Sequence, residues 1–204
     1  MARAKHEGFD TSGLADQYPR TFQLADGSSV ELRVMSSDDR DAILGFATAL
    51  PEEDLLFLRV DLTQPDVVDA WVGNIRDGRM AALAAYRDDV FLGYAAVHRN
   101  PAPWMRHVGE LRVNVAPAVR TQGLGRLLVS HVFDMARTFA LQKLVAQMTT
   151  DQHGAQAAFR RLGFVPEALL ADFVVDRGGR SRDLVMMTFD VEGLTDQAGG
   201  PVRI

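Results

Sequence analysis

The sequence predicts a mixed α/β (α+β) fold in a single domain, and three observations carry that prediction. Segments with strand-like alternation and segments with helical spacing follow one another through the middle of the 204-residue chain. Turn signals, and no linker-like, repetitive or low-complexity stretch, separate them. A loop with two glycines joins a Val-rich strand to the most strongly amphipathic helix. Residues 1–17 are polar and read as a loosely held segment, residues 18–191 as one domain, and residues 192–204 as a tail.

Asp26-Gly27 is a hairpin signal between Thr21–Leu24 and Val30–Val34. Ser36 and Asp39 form a capping box, in which each side chain satisfies a free backbone N–H. The helix that follows sets Ile43, Phe46, Ala47 and Leu50 on one face. Thr63 with Asp66 reads as a second capping box, opening a helix with Val67, Val68, Trp71, Val72 and Ile75. Two strands, Met80–Tyr86 and Val90–Val97, turn at Asp88-Asp89. Another runs from Glu110 to Val115, alternating Leu111, Val113 and Val115 with Glu110, Arg112 and Asn114. Leu124, Leu127, Leu128, Val132, Met135 and Phe139 then recur at helical spacing. Lys143–Met148 is a short strand. Asp151 is placed to cap a helix bearing Ala155, Ala158, Phe159 and Leu162, and Gly163 to end it. Phe164–Val175 and Asp183–Val191 close the domain as a hairpin around Arg177-Gly178-Gly179.

Composition narrows the function. The formal net charge is −5, which argues against a general nucleic-acid binder, since phosphate neutralisation needs a basic face. No apolar run is long enough to span a membrane, and the start does not resemble a signal peptide. The chain has no cysteine, which excludes disulfides, cysteinyl nucleophiles and cysteine-held zinc and suits a reducing cytoplasm. His98 and His153 lie at no metal-ligand spacing from any carboxylate, so no metal site is expected.

The stretch from Val113 to Arg126 carries the chemistry. The strand is broken by Pro117, and the loop Arg120-Thr121-Gln122-Gly123-Leu124-Gly125 enters a long helix. The first turn of a helix has unpaired N–H groups and partial positive charge, which suits a phosphate. Gly123 and Gly125 allow close approach to the backbone, and Arg120 and Arg126 add donors. The structural alternative is a tight strand-to-helix turn with no ligand. The loop is neither a dinucleotide fingerprint, which needs a third glycine, nor a P-loop, which needs Gly-Lys-Ser/Thr.

The same loop resembles the GNAT acetyltransferase pattern Arg/Gln-x-x-Gly-x-Gly/Ala. Gln152, Ala155 and Phe159-Arg160-Arg161-Leu162-Gly163-Phe164 resemble the family's second block, Asn-x-x-Ala-x-x-x-Tyr-x-Lys-x-Gly-Phe. The likeness spans about residues 29–191. It implies a mixed, mostly antiparallel, splayed sheet of about seven strands flanked by about four helices, and acetyl-CoA as co-substrate. It implies that the strand backbone around Val113 and Val115 pairs with the pantetheine arm and that the loop from Arg120 to Arg126 holds the pyrophosphate. Gln152 would lie near the pantetheine and Phe159 beside the cofactor sulfur.

Acetyl transfer to an amine requires a proton acceptor for the amine, stabilisation of the carbonyl oxygen and a proton for the departing thiolate. Glu110 is the candidate base, the alternative being a solvated carboxylate paired with Arg112. His107 is the second candidate. The family's proton-donating Tyr is here Phe159, which cannot donate. Tyr18, Tyr86 and Tyr94 are the only tyrosines, and Tyr94 is the best placed. Phe57, Arg59 and Asp61 lie in the segment Pro51–Thr63, where the family builds its acceptor site, although core packing explains Phe57 better. The acceptor is expected to be a small-molecule primary amine. A protein lysine is the alternative, because Leu50–Arg59 resembles the protein-lysine branch, and a non-catalytic acyl-CoA-binding module is another. A homodimer is one state the sequence allows.

Overall fold

The computed structural model describes residues 8–55, 58–176 and 178–191. Eight strands form one sheet in the order β1-β2-β3-β4-β5-β6-β8-β7, one strand more than the resemblance implied. They are β1 (Arg20–Gln23), β2 (Ser29–Val34), β3 (Met80–Arg87), β4 (Val90–Arg99), β5 (Val108–Val115), β6 (Lys143–Thr149), β7 (Val165–Val175) and β8 (Ser181–Asp190). Neighbours are antiparallel except β5 and β6, which run parallel. Four helices of nine or more residues flank the sheet: α2 (Arg40–Thr48), α4 (Pro65–Arg76), α5 (Leu124–Thr138) and α6 (His153–Arg161). Two single turns, α1 (Ser12–Ala15) and α3 (Glu52–Leu55), complete the set. Among the described residues no helix is long and apolar enough to cross a membrane.

Each face of the sheet carries its own core. On one, α5 inserts Leu124, Leu128, Val132 and Met135 against Leu83, Val97 and Leu111. On the other, α2 and α4 bring Ile43, Phe46, Val68 and Trp71 against Met80, Tyr86 and Tyr94. β3 and β4 are thus buried on both faces, and the alanines at 81, 82, 84 and 85 keep that central strand thin. A fully buried leucine such as Leu128 contributes roughly 1.5–3 kcal/mol.

The turns follow local chemistry. Gly27 takes φ +81, and Asp88 and Asp89 take φ 48 and 61 in a two-residue hairpin that suits the strand twist. The capping box at Ser36 and Asp39 forms. The one proposed at Thr63 does not. Pro65, which has a pre-set φ and no N–H to satisfy, starts α4 behind Gln64, while the Thr63 hydroxyl donates to Asp61. Asp151 likewise does not cap α6. Gln152 holds that position, and the Asp151 carboxylate takes the Thr149 hydroxyl and Arg182. In the segment before β1, Phe9 and Leu14 are core, and Phe9 stacks on Phe139 at 4.4 Å. Residues 192–204 lie outside the described residues.

Candidate active site

The parallel pairing of β5 with β6 is short. It runs from Val108↔Lys143 to Glu110↔Val145, and beyond that no described residue of β6 pairs with Leu111–Val115. β6 continues along β8 while β5 continues along β4. The sheet therefore splits just past Glu110, leaving the backbone edge of β5 toward Val113 and Val115 open to a ligand.

At the far end of β5 the chain turns through Pro117–Val119 into the glycine loop. Gly123 adopts φ +92, a left-handed conformation that side chains resist, and starts α5. A Cβ there would meet nothing within 4 Å, so the space before the helix is open. Lacking a side chain, Gly123 leaves the first-turn N–H groups of Leu124, Gly125 and Arg126 without a side-chain cap. Gly125 faces β5, where a Cβ would lie 3.8 Å from Val115 Cγ2. The loop is pinned by the Ala25 N–H donating to the Gln122 carbonyl at 3.0 Å. Thr121, at φ 64, donates its hydroxyl to the Arg120 carbonyl. Leu124 is core and offers only its backbone. This cradle fits the pyrophosphate of acetyl-CoA: open space, uncapped N–H groups and exposed Arg126 beside them. Arg120 points elsewhere. Its guanidinium donates to the Val115 carbonyl at 3.2 Å and to Asp54 at 2.7 Å.

At the split lies a cleft of about 400 Å³, walled by β4 and β5 on one side and by Val145, Gln147 and Met186 on the other. Alternation on two strands furnishes much of it. Tyr94 and His98 on β4 stand opposite Asn114 and Glu110 on β5. Both Glu110 oxygens accept guanidinium donors, one from Arg59 and one from Arg112. The Arg112 pair joins two largely buried groups, whereas the Arg59 side chain is 60% exposed. The Tyr94 hydroxyl accepts from Asn114 Nδ2 at 2.8 Å. Burial pushes the Tyr94 phenol up to about 12, so it keeps its proton at neutral pH. Burial, helped by Arg112, pushes His98 down to about 4, so its ring is neutral.

The structure thus gathers Glu110 and Arg59 in one cleft and the glycine loop at the other end of β5. It does not bring His107 to them. That residue lines a separate depression of about 340 Å³ with Arg99, Arg106 and Phe139. Gln152 turns back to β6, its Oε1 accepting from the Thr149 N–H at 2.9 Å. Phe159 packs edge-on to Phe164, ring centroids 4.9 Å apart, among core residues. Phe57 lies outside the described residues. Sequence reasoning missed His98, Asn114 and Trp71 as cleft residues. The same-face spacing of Tyr94 and His98 was visible, but not the register that sets them against Asn114 and Glu110.

An open sheet split beside a glycine-started helix offers a strand edge and a phosphate cradle together, and comparison with known proteins gives the class of protein. The model of the acetyltransferase (GNAT) family matches residues 7–164, and the chain belongs to that family. It is 30% identical over 159 residues to a streptothricin acetyltransferase of Streptomyces lavendulae, covering 68% of this chain and 82% of that protein. A ribosomal-protein-alanine N-acetyltransferase from Brucella melitensis is similar at TM-score 0.69 and 28% identity, over 78% of this chain and 98% of that one. The structure of yncA from Salmonella typhimurium, solved with acetyl-CoA, is similar at TM-score 0.68 and 25% identity, over 85% and 98%. The chain is an acetyl-CoA-dependent acetyltransferase.

Proposed function

We propose that the protein transfers an acetyl group from acetyl-CoA to a primary amine of a small molecule, by direct attack within one complex. The observation that carries this reading is a juxtaposition. The sheet opens immediately past Glu110, and the cleft along that opening is faced by Glu110 and, further along β5 opposite Asn114, by Tyr94. The N–H groups of Leu124, Gly125 and Arg126 would hold the pyrophosphate, and the β5 edge at Val113 and Val115 the pantetheine arm. Bound there, acetyl-CoA supplies an activated thioester carbonyl.

Glu110 takes the amine proton, directly or through a water. A carboxylate has about four lone-pair sites, so two remain after Arg59 and Arg112 are served. Tyr94 accepts from Asn114 and so keeps its own O–H free to donate toward the departing sulfur. It supplies the proton that Phe159 cannot. With no cysteine in the chain, a cysteinyl acyl-enzyme is excluded. The streptothricin acetyltransferase relative supports a small-molecule acceptor. The similarity to a ribosomal-protein-alanine N-acetyltransferase favours a protein N-terminus as the second reading. A panel of small amines, amino acids and peptides, followed by free-thiol release and product mass, tests both. Small-molecule products support the first reading. Turnover confined to peptides supports the second, and thioester hydrolysis without any acetylated product contradicts both.

A further inference from the structure

The charges facing the cleft discriminate among amines. Among its described lining residues there is one carboxylate, Glu110, already bridged by Arg59 and Arg112. Arg99 also lines the cleft, but its guanidinium lies over the Phe9 ring, 4.5 Å from the centroid. The Arg59–Glu110–Arg112 group is therefore net positive, in a protein whose formal charge is −5. A polycationic acceptor would find no unpaired carboxylate on these walls.

Arg59 engages Glu110 through Nη1, and its side chain is 60% exposed. A guanidinium carries five donors in a planar fork, so a second edge remains for a carboxylate. Across the strand pair from Glu110, His98 Nε2 is buried without a hydrogen-bond partner among the described residues. A buried polar atom without a partner calls for one. The ring is neutral, so an unprotonated Nε2 accepts an N–H.

We propose that the acceptor is a small amine that also carries a carboxylate, its N–H meeting His98 Nε2 while its carboxylate docks on the free edge of Arg59. This rests on the reading of the cleft as the acceptor site. The walls suit such a molecule in size and character: about 400 Å³, with Trp71 and Met105 for an apolar side chain.

The test compares α-amino acids with their carboxamides and with a diamine, using the full chain and saturating acetyl-CoA. Rates are taken at equal free-amine concentration, because the carboxamide amine is less basic. The carboxylates should show a kcat/KM roughly 10- to 100-fold higher, the range of a hydrogen bond to a charged group. Arg59 also holds Glu110, so Arg59→Gln should slow both classes, but kcat/KM should fall further for the carboxylates, through KM, and the ratio should vanish. His98→Phe should lower kcat/KM for both classes, with partial recovery in His98→Gln, which restores an acceptor atom. Equal or better use of carboxamides or diamines, with no change of the ratio in Arg59→Gln, overturns the inference and leaves amine acetylation standing. If no amine of any class is acetylated while acetyl-CoA still raises the melting temperature, the acceptor-site reading falls and the inference with it.

Discussion

The two ends of β5 are built from different materials. At the Val115 end the site is backbone: uncapped N–H groups, a left-handed Gly123 and open space, with Arg126 adding charge. Along the cleft face of β5 from Glu110 to Asn114 it is side chains, delivered by Arg59 before α4, by Tyr94 and His98 on β4, and by Arg112 and Asn114 on β5. A backbone site recognises a shape common to every acyl-CoA and is sensitive mainly to added bulk. A side-chain site recognises one acceptor and is sensitive to each group's charge and protonation. Specificity and proton handling therefore belong to the Glu110 end, and generic cofactor binding to the other.

That division is sharpest in rates. Glu110→Gln keeps the shape and one acceptor oxygen for the arginines but cannot take a proton. Acetyl transfer should fall by about 10²–10⁴-fold, the usual contribution of a general base. The thermal shift induced by acetyl-CoA should persist. Full-rate turnover in this variant would assign the proton to another group.

His98 gives a pH signature that the backbone end cannot. Its folded pKa, near 4, lies below the ordinary value of 6.5. A histidine kept neutral by folding stabilises fully above the unfolded pKa, and that contribution is lost as pH falls from 6.5 toward 4. The linkage amounts to about 3 kcal/mol. Relative to wild type, His98→Gln should therefore lose less stability between pH 7 and pH 4.5 in urea titrations. Parallel curves for the two proteins would show that the imidazole is not held neutral.

At the other end, acetyl-CoA at about 100 times its Kd should stabilise the protein by about 2.7 kcal/mol, roughly 5–11 °C in Tm. Gly123→Val should abolish that shift, because its side chain fills the open space before α5. The variant itself should lose about 1–2 kcal/mol from a branched residue at positive φ. Gly123→Asn, which tolerates that conformation better, separates strain from blockage. Normal binding by Gly123→Val would remove phosphate from this loop.

The smallest effect is expected at Phe159. Phe159→Tyr should leave the single-turnover rate unchanged if Tyr94 already donates the proton. A half-buried hydroxyl against Phe164 should alter stability by no more than about 1 kcal/mol. A clear rate gain would instead put residue 159 beside the sulfur.

What was legible in the sequence was local. The spacing along α5, the alternation along β5 and the strand-loop-helix order around Gly123 each involve residues close in the chain. The Glu110 end depends on register and on distant segments. Nothing near His98 in sequence announces that it stands opposite Glu110, and nothing near Arg59 that it reaches β5. The failed caps show the same limit. Thr63 and Asp151 have suitable chemistry, but Pro65 fixes one helix start and Arg182, from β8, draws the other carboxylate away. Phe9 and Leu14 were hidden by their polar neighbours, and their burial depends on Phe139 and the α5 face of the sheet.

A crystal structure of the complex with acetyl-CoA tests the arrangement most directly. Pyrophosphate oxygens should lie on the N–H groups of Leu124, Gly125 and Arg126, with the thioester in the β5–β6 split within reach of Tyr94 and Glu110. Phosphates bound instead in the basic depression of Arg99, Arg106 and His107, with the split empty, would contradict it.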